Sequence, residues 1–223
     1  MNLKQVAGEK SVEYIKDGMV VGLGTGSTVF YAIKKIGEKV KNGLDIVGIP
    51  TSVETEKLAK QFGIQLSTLE EHPVIDVTID GADEIDKKLD LIKGIGGALL
   101  REKIVASASK KEVIVADDSK LVDMLGTKSF LPVEVARFGW SYAAKKISEF
   151  DCKPELRKKD GKIFITDNGN YILDCKFNKI EEPEKVEKKI NNIPGVLENG
   201  LFIGLADVVI VASDKEVKVI EKG

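Results

Sequence analysis

Apolar residues fall at helical spacing at Leu3, Val6, Ala7, Val12 and Ile15, so the chain opens on a predicted helix over 3–16. Met19 to Leu23 is a short apolar run that stops at a glycine cluster and reads as a buried strand. Val29, Ala32, Ile33, Ile36 and Val40 return to the helical period and predict a helix over 28–40. The rhythm repeats with a strand over 44–49 and then a helix capped by Thr51 and Ser52, Thr51 and Glu54 having capping-box spacing. A strand over 74–79, a helix over 101–111 and a strand over 113–116 follow. Such alternation implies a parallel sheet flanked by helices.

After about residue 128 the pattern changes. A strand over 131–136 and a helix over 140–150 precede two short strands, 156–159 and 162–166, joined at the hairpin signal Asp160-Gly161. Then come a strand over 171–177, a helix over 184–191 and an extended piece from Val196. The order β-α-β-β-α-β predicts a small ferredoxin-like α+β domain. Asp207 to Ala212 is so apolar that it needs cover on both faces, and it is expected to return to the first sheet. The expected fold class is therefore α/β: a Rossmann-like, mostly parallel sheet built from 1–128 plus 203–223, and a second, smaller domain over 129–202.

Charge narrows the function. Lys plus Arg number 34 and Asp plus Glu 36, for a net charge of -2. A general nucleic-acid binder needs a basic face to displace counterions, so no nucleic-acid partner is expected. His72, in a loop before Pro73, is the single histidine. Ser-His-Asp hydrolysis and histidine-rich zinc sites are thereby disfavoured, and catalysis falls to carboxylates and lysines. Cys152 and Cys175 fit neither a disulfide framework nor a metal spacing, which suits a reducing cytosol. Residues 1–10 carry charges without an apolar core, unlike a signal peptide. The longest uncharged run, Gly18 to Ile33, is too short and too glycine-rich to span a bilayer, so a cytoplasmic chain without a membrane partner is expected.

Four predicted strand ends carry ligand-type residues. Gly22-Leu23-Gly24-Thr25-Gly26-Ser27-Thr28 joins a strand to a helix, where backbone N–H groups, the helix dipole and two hydroxyls can cradle a phosphate. The alternative is a tight turn with a Ser/Thr cap. A dinucleotide would need an acidic residue ending the second strand, whereas Asp45 begins it. A P-loop would need a lysine after the glycines. One phosphate of a small molecule fits best. Asp80-Gly81-Ala82-Asp83-Glu84 follows the third strand, and its two aspartates can face one polar ligand. The alternatives are an acidic turn or a helix cap; a calcium loop fails because Ala82 and Glu84 fall on ligand positions.

Lys93-Gly94-Ile95-Gly96-Gly97 opens the helix that carries Arg101, Glu102 and Lys103. Lys93 can neutralise an oxyanion. Glu102 is either a favourable acid at a helix start or a general base, for which apolar burial must outweigh the dipole. Lys120, after the fourth strand, is either a ligand contact or a surface lysine.

Together these strings resemble the type A ribose-5-phosphate isomerase family. The resemblance rests on Gly24–Thr28, Asp80–Glu84, Lys93-Gly94 through Lys103, Ala116–Lys120, Leu131–Val135, Thr166–Asn170, Gly200–Phe202 and Ala206-Asp207, in order from near residue 3 to about 212. It implies metal-free, cofactor-free interconversion of D-ribose 5-phosphate and D-ribulose 5-phosphate through an enediol, with a sugar phosphate as the small-molecule partner. Carried over by position, Lys4 and Thr25, Gly26, Ser27 and Thr28 hold the phosphate. Asp80, Asp83 and Lys93 bind and polarise the sugar oxygens, with Gly81, Ala82, Gly94 and Gly96 lining them, and Lys120 adds a substrate contact. Glu102 matches the base that moves a proton between C2 and C1.

The family usually carries a third glycine where this chain has Ile95, which implies a locally altered loop if that position needs φ > 0. Family members are homodimers or homotetramers, and the smaller domain is the expected interface. The competing reading is a non-catalytic sugar-phosphate-sensing module of related fold.

Overall fold

A computed structural model describes residues 2–223, which divide into two compact units. The first comprises 2–82, 101–120 and 204–223, and the second 83–100 and 121–203.

A six-stranded sheet forms the first unit, in the order Val217–Glu221, Val208–Ala212, Glu112–Asp117, Val77–Gly81, Met19–Leu23, Ile46–Pro50. Every pairing is parallel except that of the edge strand Val217–Glu221. Side chains alternate across a strand, so Val21 and Leu23 face one core with Ala7, Ile33 and Ile36 while Val20 faces another with Ile49, Ile75 and Val105. The apolar strand Val208–Ala212 lies beside Glu112–Asp117 in the middle of the sheet.

Several local expectations shift. The third strand runs Val77–Gly81 rather than 74–79, because its ladder with the fourth continues through Asp80↔Ile114 and Gly81↔Val115. Asp80 therefore stands within the strand end and not after it. The helix after Ile46–Pro50 takes Ser52 alone as its cap, accepting from the Thr55 N–H at 3.0 Å. Thr51, the expected capping-box residue, is buried and donates its hydroxyl to the Leu23 carbonyl at 3.1 Å.

In the second unit, a four-stranded antiparallel sheet runs Val196–Asn199, Leu131–Val135, Tyr171–Lys176, Lys153–Leu156. With helices Trp140–Ile147 and Pro183–Asn191 this is the ferredoxin-like arrangement, the last strand lying beside the first. Its second strand lies before the Asp160-Gly161 hairpin. The hairpin itself is a separate ribbon, Lys158–Lys159 against Lys162–Ile163, with Asp160 at φ 51° and Gly161 at φ 76°. Leu201–Phe202, Leu91–Ile92 and Glu84–Ile85 form a further small sheet. That sheet, with Ile92 and Leu125 in the second core, draws 83–100 and 121–128 into the second unit, whereas the sequence boundary left them in the first.

Candidate active site

On the first unit, the strand Met19–Leu23 ends in the loop that enters the helix Val29–Lys41. Gly24 passes hard against Asp80: a Cβ there would stand 2.2 Å from Asp80 Oδ1, so only glycine permits the approach. Asp80 is fully buried and accepts from the Thr25 N–H at 3.1 Å and the Gly81 N–H at 2.7 Å. This carboxylate thus ties the loop to the next strand. Gly26 adopts φ +120°, and Gly26 and Ser27 are exposed. Thr28 precedes the helix without a side-chain cap bond, so its hydroxyl is not spent on the helix terminus. The Lys4 ammonium donates to Ser27 Oγ at 2.9 Å, which brings a positive charge from the first helix onto the loop. N–H groups at a helix start, two hydroxyls and a lysine are the donors with which a loop can cradle an anion. A cleft of 580 Å³ opens beside it, lined among others by Gly24, Gly26, Ser27, Tyr31 and Thr55.

Thr25 is placed differently from its neighbours. Its hydroxyl lies 2.8 Å from Thr51 Oγ1, 2.9 Å from Ser52 Oγ and 3.1 Å from Thr55 Oγ1. Thr55 in turn donates to the Gly24 carbonyl at 2.8 Å. This hydroxyl cluster supports the loop from beneath. Sequence reasoning missed it, since Thr51 and Ser52 read only as helix-capping residues and Thr55 carried no signal.

Glu102 lies in the first turn of Leu99–Ser107 and is 5 % exposed. The burial that a base at a helix start would need is therefore present. Lys103 beside it, the end of the Lys93–Lys103 motif and without a role assigned from sequence, is 7 % exposed. Lys120 ends the short helical turn Asp118–Lys120 after the strand Glu112–Asp117 and is half-buried. Ala82 is half-buried at the end of the same unit's Val77–Gly81 segment.

The second unit carries Asp83, Lys93, Gly94 and Gly96. Asp83 is half-buried; its N–H donates to the Ile92 carbonyl at 2.8 Å and its Oδ2 accepts from the Ile95 N–H at 3.0 Å. Lys93 is 2 % exposed, its N–H donates to Gly200 O at 2.9 Å, and its ammonium lies 5.2 Å over the Phe202 ring. The turn after it closes with a bond from the Gly97 N–H to Gly94 O. Left-handed φ falls on Gly94 (+105°) and Gly97 (+89°) and not on Ile95. Isoleucine at 95 thus strains nothing.

Glu84 and Glu134 are buried carboxylates of another kind. Glu84 accepts from the N–H groups of Gly126, Lys128 and Ser129. Glu134 accepts from Thr166 Oγ1 at 2.9 Å and Asn170 Nδ2 at 2.8 Å, which makes one hydrogen-bonded unit of two motifs thirty residues apart in sequence. Among the described residues no cluster of three or more His, Cys, Asp or Glu is placed to hold a metal ion, and no helix is long and apolar enough to cross a membrane.

Comparison with known proteins decides the family. Residues 47–216 match the family described as ribose 5-phosphate isomerase A (phosphoriboisomerase A). The chain belongs to the ribose 5-phosphate isomerase A family. It is 52 % identical over 219 residues to the ribose-5-phosphate isomerase A of Bacillus mycoides (strain KBAB4), covering 98 % of this chain and 99 % of that one. A Listeria monocytogenes family member is 50 % identical over the full length of both chains. The solved isomerase from Methanocaldococcus jannaschii superposes with a TM-score of 0.95 at 43 % identity, covering 99 % of each chain. A D-ribose-5-phosphate isomerase solved in complex with phospho-erythronic acid superposes at 0.96 and 44 % identity, covering 99 % of this chain and all of the other.

Proposed function

We propose that the chain interconverts D-ribose 5-phosphate and D-ribulose 5-phosphate. The observation that carries this is full-length identity of about half to proteins named for that reaction. It is supported by an anion cradle built from Lys4, Ser27, Thr28 and the helix start. The phosphorylated sugar acid held by a structural relative belongs to the ligand class such a cradle suits.

In the reaction, Gly26, Ser27, Thr28 and Lys4 hold the phosphate, with Thr25 fixing the loop. Asp80 and Asp83 bind sugar hydroxyls and assist ring opening. Glu102 takes the C2 proton of the open-chain aldose, and the electron pair moves onto the carbonyl oxygen at C1. Lys93 steadies the negative charge that develops there. The O2 hydroxyl proton passes to O1, and Glu102 then returns its proton to C1 as C2 becomes the ketose carbonyl. Lys120, Gly81, Ala82, Gly94 and Gly96 complete the contacts. Neither a metal nor a cofactor enters any step.

The same reading makes the protein a cytoplasmic homodimer or homotetramer that uses the second unit as its contact. Phe138 at 96 % and Tyr142 at 50 % exposure on that unit support this, as an apolar surface that association would cover.

The test is a coupled assay with ribose 5-phosphate after dialysis against EDTA. Undiminished turnover is expected. Activity lost to the chelator and restored by Mg²⁺ or Mn²⁺ contradicts the metal-free step. Tight binding of ribose 5-phosphate without turnover returns the sensing module to favour.

A further inference from the structure

The loop after Lys93 is held by a residue that no motif pointed to. The peptide between Gly94 and Ile95 is gripped from both sides. Its carbonyl accepts from the Arg157 guanidinium at 3.1 Å, and its N–H donates to Asp83 Oδ2 at 3.0 Å. In a trans peptide the C=O and N–H point in opposite directions, so fixing one aims the other. The same guanidinium nitrogen reaches the Ile95 carbonyl at 2.9 Å. Asp174 holds the far edge of the guanidinium, with Nε 3.0 Å and 3.1 Å from its two oxygens. Both partners are mostly covered, at 11 % and 20 % exposure.

Phe164 completes the grip. Its ring lies 5.8 Å from the guanidinium and so close to Gly97 that a Cβ there would stand 2.5 Å from it. The Arg157 backbone is itself fixed, donating to the Ile172 carbonyl and accepting from the Phe164 N–H, both at 2.9 Å.

We propose that Arg157 is a positioning residue for the isomerisation, acting through the Gly94–Ile95 peptide on Asp83 and on the turn that follows Lys93. This rests on the reading that Asp83 and Lys93 meet the sugar. The chain Asp174–Arg157–peptide–Asp83 is continuous, and hydrogen bonds in such a chain polarise one another. Only a planar fork can take two carbonyls on one edge and a carboxylate on the other; a lysine ammonium cannot.

The experiment is steady-state kinetics with ribose 5-phosphate on the wild type, Arg157→Met, Arg157→Lys, Asp83→Ala and the Arg157→Met/Asp83→Ala double variant. Misplaced catalytic groups cost up to about 100-fold. Both Arg157 variants are expected to lose about 10- to 100-fold in kcat, with a smaller rise in KM, because Asp83 meets the sugar while the phosphate contacts lie elsewhere. In the Asp83→Ala background, Arg157→Met should cost less than about threefold, since coupled residues are not additive. An equal loss in both backgrounds, an active lysine variant, or a raised KM with kcat kept overturns the role.

Should the uncompensated Asp174 unfold Arg157→Met, the neutral pair Arg157→Gln with Asp174→Asn is measured instead, and an unchanged kcat there overturns it. An inactive wild type overturns the isomerase reading and this role with it. An active wild type with fully active Arg157 variants overturns this role alone.

Discussion

Thr25 and Thr28 are three residues apart in one loop and serve it differently. Thr25 spends its hydroxyl on Thr51, Ser52 and Thr55, whereas Thr28 makes no side-chain cap bond. Thr28→Ala should therefore raise KM for ribose 5-phosphate with a smaller effect on kcat, because phosphate is held in ground and transition states alike. Initial rates over a range of substrate concentrations give both constants. A fall confined to kcat, or micromolar binding of NAD or NADP to the native protein, contradicts the phosphate assignment. The strand-to-helix turn of this loop was legible in sequence, because glycines and hydroxyls mark such a turn whether or not it holds a phosphate. The inward turn of Thr25 was not, since its partners lie on the following strand-to-helix connection and come close only through the parallel pairing of Met19–Leu23 with Ile46–Pro50. Arg157 was hidden for the same reason: its targets Gly94 and Ile95 lie 63 and 62 residues away in sequence.

At the scale of elements, the long periodic segments were legible and the short ones were not. The helix Val29–Lys41 and the strand Val208–Ala212 bury strongly patterned or wholly apolar sequences, so pattern suffices. Glu84–Ile85, Leu91–Ile92 and Leu201–Phe202 are two residues each, too short to show a period. The edge strand Val217–Glu221 is mostly exposed and lacks an apolar face to announce it. The two-residue strands bury Ile85, Leu91, Ile92, Leu201 and Phe202 without a period, and buried polar bonds add to their hold. Glu84 is the clearest, fully buried and accepting from Gly126 N–H at 2.7 Å and Lys128 N–H at 2.6 Å, with Ser129 as a third donor. Glu84→Ala strands these donors, and each buried unsatisfied group costs about 1–3 kcal/mol. The variant should lose at least about 2 kcal/mol in urea unfolding and show faster amide exchange over 126–129. A loss below about 0.5 kcal/mol would show that the clamp contributes nothing beyond an ordinary surface residue.

Across the whole molecule, the chain leaves the first unit after residue 82, returns at 101, leaves again after 120 and returns at 204. The last return was legible in the apolar run near the C-terminus. The excursion over 83–100 was not, because it is held by the two-residue strands. It divides the Asp80–Glu84 motif, leaving Asp80 on one unit and Asp83 on the other. The central claim is proton transfer by Glu102, and the most direct measurement follows ribose 5-phosphate turnover in D₂O with wild-type and Glu102→Gln protein. Wild type should form ribulose 5-phosphate carrying deuterium at C1, to an extent set by how fast the carboxyl group exchanges its proton. The Glu102→Gln variant should lose about 10²- to 10⁴-fold in kcat, with substrate affinity largely kept. A variant retaining more than about a tenth of wild-type kcat contradicts the account and moves the base elsewhere, with Asp83 next to be tested.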